Sequence, residues 1–416
     1  MVPEGWKISS LADIASISSG GTPSRKKTEY WQPATVPWVR TTEVQNCVLM
    51  RQDIQESISE LGLNKSSAKL VPPGTVLLAM IGQGKTRGQV AFLTFEATTN
   101  QNCASIIFNK DQEPKFHYNF LLSIYEKIRQ LSNSAGQSNL SGALVKSIRV
   151  PVPPLNEQKK IAQILSTWDK AITTTEQLLA NSQQQKKALM QQLLTGKKRL
   201  LDENGVRFSG EWKKCRVDEY FDVRSSKRVL QKDWQDHGIP FYRTRELVSL
   251  TKNEPFSSEI FISKHMFEDL AKKYGVPKAG DFLVSGVGTL GISYQVKPSD
   301  KFYFKDGNVL WFKQKQGIHS DFFKYSFQSN FIQSQIKSQA SITTVGTYTI
   351  QNARSTLFIC PPSLNEQRKV ALALTNIDQQ IFKLQEKLKA LKGEKKALMQ
   401  QLLTGKRRVK VDEKVV

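Results

Sequence analysis

The stretch KKALMQQLLTGK at residues 186–197 returns letter for letter at residues 395–406. The match widens when read backwards. PPLNEQKKIAQIL at 153–165 parallels PPSLNEQRKVALAL at 361–374, and a constant offset of 209 runs from Asn156/Asn365 to Lys197/Lys406. Upstream the likeness thins but persists. VPWVRTTEV (36–44) resembles IPFYRTREL (239–247), GTVLLAMIGQGKTRG (74–88) resembles GDFLVSGVGTLG (280–291), and GWK (5–7) resembles EWK (211–213). The chain of 416 residues is one unit of about 200 residues written twice. The back part of each copy is kept and the front part has drifted, as expected if the backs share one mechanical task and the fronts meet different targets.

Residues 156–195 read as a single helix. Pro153-Pro154 bar continuation upstream, Asn156 suits the N-cap, Glu157 suits the first turn, and Thr195-Gly196 with three following cations suits the end. About 40 residues at 1.5 Å each span roughly 60 Å. Alternating steps of four and three give Ile161, Leu165, Trp168, Ile172, Thr175, Leu179, Ser182, Lys186, Leu189 and Leu193. The same steps in copy two give Val370, Leu374, Ile377, Ile381, Leu384, Leu388, Leu391, Lys395, Leu398 and Leu402. A 3.5-residue period held this long predicts a coiled-coil seam. Paired antiparallel, such helices would relate the copies by a pseudo-twofold axis and hold the front domains at a set distance. Lys186 and Lys395 fall at the same step, where a polar residue either sets register or snorkels.

The formal net charge of +23 points to a polyanion, most often nucleic acid. The two helical segments with their basic ends carry +5 and +8 of it. Hydrophobic residues make up 39%, enough for real cores, yet no apolar run approaches a membrane span, and MVPEGWKISS lacks a secretory apolar core. A cytoplasmic location is expected. The four cysteines and four histidines are scattered without metal-ligand spacing.

The front parts have an α+β texture. GTVLLAMIG, CASIIF, DFLVSG, GISYQV and NVLWF read as strands, and helices are expected near 115–132 and 319–338. GKT at 84–86 fails the P-loop pattern because Ala79 stands where glycine is required. GVGTLG at 286–291 satisfies G-x-G-x-x-G, with Asp306 twenty residues on, but ISYQV follows where a dinucleotide site needs a helix, so a hairpin turn is expected. No paired carboxylates, metal cluster or nucleophile–histidine pair stands out.

Two divergent domains alternating with two near-identical helices, each entered by PPLNEQ or PPSLNEQ and closed by QQLLTGK, resemble the specificity subunit of type I restriction-modification systems. The resemblance covers essentially the whole chain. It implies two globular target recognition domains (1–152 and 207–360) separated by two long antiparallel coiled-coil segments (153–206 and 361–416). Each domain would read one half of a bipartite site on double-stranded DNA. The helices would space the half-sites and dock two modification (methyltransferase) subunits, with restriction (motor-nuclease) subunits joining the complex. The subunit itself would be non-catalytic and carry no cofactor, S-adenosylmethionine belonging to the methyltransferase. Two other readings remain open at this point: a basic scaffold without sequence preference, and a single-chain nuclease with an unrecognised site.

Loop chemistry nominates the DNA contacts. Cations meet phosphates or guanine, amides pair with adenine, and Ser or Thr serve either. For the first half-site these are Arg25, Lys26, Lys27, Arg40, Lys85, Arg87, Gln137 and Asn139. For the second they are Arg224, Lys227, Arg228, Arg243, Arg245, Thr289 and Thr344. Arg40→Ala is expected to weaken DNA binding. A base contact would relax one position of the target, whereas a phosphate contact would lower binding to all sequences and the salt slope by about one. Unchanged affinity in a salt titration removes Arg40 from the set.

Overall fold

The repeated stretch lies in two helices of 39 residues each, Leu155–Leu193 and Leu364–Leu402. The structure is a computed structural model that describes residues 2–82, 84–134, 139–252, 260–340 and 346–411. All twenty seam positions expected from the heptad are buried or half-buried, with Ile161, Leu165, Leu193, Val370, Leu374 and Leu402 fully so. Off the seam, Leu178, Leu372 and Phe382 are about half exposed. Asn156 and Asn365 are not the caps. The helices begin one residue earlier, and at the second the Ser363 hydroxyl accepts from the Glu366 amide at 3.4 Å.

The chain divides into two units. One comprises residues 1–176 with 386–416, and the other residues 177–385. Each unit therefore holds the opening half of one long helix and the closing half of the other.

In the first unit the helices run antiparallel, since rising numbers on one meet falling numbers on the other. Glu157 pairs with Arg408, Asp169 with Lys395 (2.5 Å) and Glu176 with Lys392 (2.7 Å). Trp6, Phe116, Ile161, Leu165, Met399, Leu402 and Leu403 form one apolar cluster there. In the second unit Lys186 pairs with Asp378 (2.7 Å) and Arg199 with Glu366 (2.6 Å). Every one of these except Glu176–Lys392 is the 209-residue image of another. Lys186 and Lys395 are thus neutralised by an aspartate of the facing helix.

The helix entry has a physical explanation. Glu157 and Glu366 are buried carboxylates that the arginines beyond the opposite helix end must neutralise. Gln158 and Gln367 are buried amides that fasten each helix to its own domain. Gln158 accepts from the Glu113 amide (2.9 Å) and donates to the Pro153 carbonyl (2.8 Å). Gln367 accepts from the His319 amide (2.7 Å) and donates to the Pro361 carbonyl (3.1 Å). At the exit, Gly196 and Gly405 take φ of +70° and +72°, and a Cβ there would press on Trp212 in one unit and on Pro3 in the other.

Each unit carries a two-stranded, a main and a small three-stranded sheet, the main sheets differing by one strand. In the first, Lys7–Ser10 pairs with Arg149–Val152. A five-stranded sheet runs Ala15–Ser19, Cys103–Phe108, Val76–Ala79, Val90–Leu93, Cys47–Leu49, and a small sheet joins Ser57–Ile58, Val36–Val39 and Thr98–Thr99. In the second, Lys213–Arg216 pairs with Leu357–Cys360. Its main sheet runs Phe221–Arg224, Val309–Gln314, Phe282–Ser285, Ser293–Gln295, and its small sheet joins Phe261–Ile262, Ile239–Tyr242 and Tyr303–Phe304. Leu77 faces Ala91 and Ser105; its counterpart Leu283 faces Tyr294 and Trp311. Among the described residues, Cys47–Leu49 has no counterpart. GVGTLG turns the antiparallel hairpin between Phe282–Ser285 and Ser293–Gln295.

Two expected helices differ. The stretch near 115–132 is two helices, Pro114–Ser123 and Tyr125–Ser134. That near 319–338 is also two, Ser320–Phe327 and Asn330–Ala340. The breaks at Ile124 and at Gln328-Ser329 contain neither glycine nor proline, so no local signal marks them.

Removing one partner of a buried pair costs far more than removing an exposed one. Arg199→Ala leaves the fully buried Glu366 carboxylate unpaired, and about 3 kcal/mol of stability is expected to go. Lys392→Ala breaks a half-exposed pair and is expected to cost under about 1 kcal/mol. Urea unfolding of the two variants checks the order, and equal losses would contradict it.

Candidate nucleic-acid interface

In both units the small sheet ends on the same device. The strand Val36–Val39 leads into Arg40, and Ile239–Tyr242 leads into Arg243. Each arginine donates its backbone amide to a glutamate three residues on, Glu43 or Glu246, both at 2.9 Å. Each guanidinium then folds onto the same carboxylate, Arg243 to Glu246 at 2.6 Å and Arg40 to Glu43 at 3.5 Å. The segments that follow diverge. Copy one continues as the short helix Thr41–Glu43 and the strand Cys47–Leu49, copy two as the helix Thr244–Lys252.

The first unit brings Arg25 and Arg40 together on Glu56. Arg40 Nη1 donates to Glu56 Oε1 at 2.9 Å, and Arg25 Nη2 lies 2.7 Å from Glu56 Oε2. Arg40 Nη2 also donates to Gln55 Oε1 at 2.6 Å. The Arg25 guanidinium lies over the Trp31 ring, 3.6 Å from its centroid. Trp31 is held by donation to the Ser24 carbonyl (3.2 Å) and by an edge-on contact with buried Trp38. Lys27 Nζ donates to the Tyr30 hydroxyl (3.1 Å), and Lys26 is exposed in the same loop. A second group forms at the hairpin beyond Val76–Ala79. The Lys85 carbonyl accepts from Tyr125 (2.5 Å) and the Gly84 carbonyl from Arg129 (2.7 Å). Arg87 is half-buried in that loop, and the Leu140–Met80 backbone bond (2.8 Å) sets exposed Asn139 beside it. Gln137 lies outside the described residues.

In the second unit Arg228 Nε donates to Asp306 Oδ2 (2.9 Å), and Lys305 meets the other oxygen (3.3 Å). Burial raises the Asp306 carboxyl, but these two cations outweigh it and hold the group below its ordinary value. The Lys227 amide donates to the Tyr303 hydroxyl (3.0 Å), and its ammonium lies 5.6 Å from the Tyr274 ring. Arg224 pairs with Asp222 and lies 5.4 Å from the Trp311 ring. Arg245 donates to Glu246 at 2.8 Å. Thr289 is exposed at the hairpin turn, its carbonyl accepting from Ser285 (2.5 Å). Thr344 lies outside the described residues.

Reading the sequence for cations alone missed their carboxylates: Glu43, Glu56, Glu246 and Asp306. One signal was present, because RTTE at 40–43 and RTRE at 243–246 share the glutamate as well as the arginine. Two buried reactive groups are poorly placed for chemistry. Burial pushes the Cys103 thiol up to about 12 and pulls His117 down to about 3, where it stays neutral against Gln112. Among the described residues no three His, Cys, Asp or Glu side chains are grouped to hold a metal, and no helix is long and apolar enough to cross a membrane.

Glu246 is held ionised well below its ordinary range. Burial raises its carboxyl, but the bonds from Arg243, Arg245 and the Arg243 amide overcome this and leave it at about 2 against an ordinary 4.5. A carboxyl held below its unfolded value stabilises fully above that value and loses the contribution as pH falls towards the folded one. Glu246→Gln is expected to flatten the fall in stability between pH about 4.5 and about 2, read by thermal unfolding across that range. An unaltered acid branch would clear Glu246 of the role.

Comparison with known proteins gives a consistent result. The family described as type I restriction modification DNA specificity domain matches residues 3–181 and again 209–392. The MjaIX type I restriction enzyme specificity subunit of Methanocaldococcus jannaschii is 24% identical over 98% of this chain and 95% of its own length. A putative type I specificity subunit of Haemophilus influenzae is 31% identical over 46% of this chain and 47% of its own. The crystal structure of the type I restriction-modification S subunit of M. genitalium shares the fold, with TM-score 0.60 at 14% identity over 97% of this chain and 96% of that one.

Proposed function

This chain belongs to the type I restriction-modification DNA specificity family, and on that premise we propose that it reads a DNA target in two halves, one with each front domain, while its paired helices carry the other subunits. It is a specificity subunit, the non-catalytic DNA-recognition component of such a system. The observation that carries the finer reading is the contrast inside one fold. Both units build corresponding sheets and the same Arg–Glu device, yet their loops carry different side chains, whereas the helical joints are near-identical. Two different readers suit two different half-sites, and two like joints suit two copies of one partner.

The partners are two modification subunits that bring S-adenosylmethionine and transfer its methyl group to adenine, joined by restriction subunits. The chain holds no cofactor of its own. In this reading the helices set the spacer between the half-sites. The candidate cations steer DNA in and hold its phosphates, and a subset reads base edges. Half-exposed Phe382, outside the seam, is the docking contact taken for a partner subunit in this reading.

Mapping adenine methylation in the host with and without the chain tests the reading. Loss of methylation at one split motif is the expected result, and no change at any split motif would overturn it. Phe382→Asp is expected to weaken assembly with the modification subunit at least about tenfold, measured by titration of the purified subunits, while leaving the unfolding midpoint of the chain in place.

A further inference from the structure

We infer that Arg25 reads a guanine in the first half-site, and that Trp31 and Glu56 are positioning residues that hold its guanidinium ready. The inference rests on the half-site reading above and deepens it. Direct recognition of guanine needs two adjacent guanidinium N–H groups aimed at O6 and N7. An arginine free in solvent must first lose its rotamer entropy, so one already immobilised has an advantage in both affinity and selectivity.

Arg25 meets these conditions. Its plane lies over Trp31, 3.6 Å from the ring centroid, and 5.1 Å from that of Trp38. Glu56 takes Nη2 from one side at 2.7 Å. Among the described residues Nη1 and Nε meet no protein acceptor, and the side chain stays 55% exposed. The guanidinium therefore keeps N–H groups without a hydrogen-bond acceptor beside the Glu56 ion pair, and two adjacent ones are what a guanine requires. Arg40 differs. Its two terminal nitrogens are spent on Glu43, Gln55 and Glu56, and its side chain is 31% exposed. Arg40 fixes the Glu56 carboxylate, which in turn fixes Arg25.

The test uses the full chain in its host. A deletion strain is complemented with the native chain, Arg25→Lys, Arg25→Ala or Glu56→Gln, and adenine methylation is mapped across the genome. The native motif is expected to hold a guanine, or its paired cytosine, in one half. Arg25→Lys keeps the charge but loses the planar fork. It is expected to relax that single position, with discrimination falling on the order of 10- to 100-fold and the other half unaltered. Glu56→Gln is expected to relax the same position less.

Retained selectivity in both Arg25 variants overturns the inference, as does a half-site without a G·C pair, while the split-motif reading stands. Absence of any chain-dependent motif overturns that reading and the inference with it. If a variant methylates nothing, the purified protein is titrated with duplexes carrying the native or the substituted base pair. Retained preference, or equal weakening on both duplexes with the preference intact, counts against Arg25 as the reader, and loss of the preference supports it.

Discussion

Two buried carboxylates at the starts of two helices govern the construction of this chain. Glu157 and Glu366 sit where desolvation would be costly for an unpaired charge, and each is met by an arginine from beyond the end of the other helix. Arg408 then donates to the Glu4 carbonyl, and Arg199 to the carbonyls of Ser209 and Gly210. The pairing closes each unit from pieces distant in the chain, so the first unit takes part of its core, Met399, Leu402 and Leu403, from the last forty residues. Entry and exit are two sides of one joint. Neither side can change alone without leaving a charge unpaired or a glycine turn blocked, which accounts for the near-identity of these stretches in both copies.

The front domains work under a looser rule. Their sheets need apolar residues at inward positions, and many combinations satisfy that, so Leu77 between Ala91 and Ser105 is matched by Leu283 between Tyr294 and Trp311. The loops carry no packing duty of that kind and drift freely. What persists among them is the arginine held by a glutamate three residues on. It places a guanidinium at a set point at the end of the small sheet, from which the two copies depart as a strand in one and a helix in the other.

Much of this was legible in the residues. The heptad identified the seam, including the two lysines, because burial on a long helix follows a period that a sequence displays openly. The hairpin at GVGTLG was legible because a glycine-rich turn between apolar runs leaves few options. The breaks in the front-domain helices were not, since Ile124, Gln328 and Ser329 are compatible with a continuing helix and tertiary packing stops them. The candidate loops were half legible. Cations announce themselves by type, but the carboxylates that pair with them, Glu56 for Arg25 and Asp306 for Arg228, come from other segments.

The sequence alone determined the repeat, the two long helices with their seam, the strand content of the fronts and the positive charge that seeks DNA. These are local or periodic properties, written in neighbouring residues. Only the tertiary structure decided which charges pair. Glu157 finds Arg408 251 positions away, and Glu366 finds Arg199 167 positions away. The choice of partner depends on which carboxylates lose their water on folding, a property of the packed chain and not of any stretch within it.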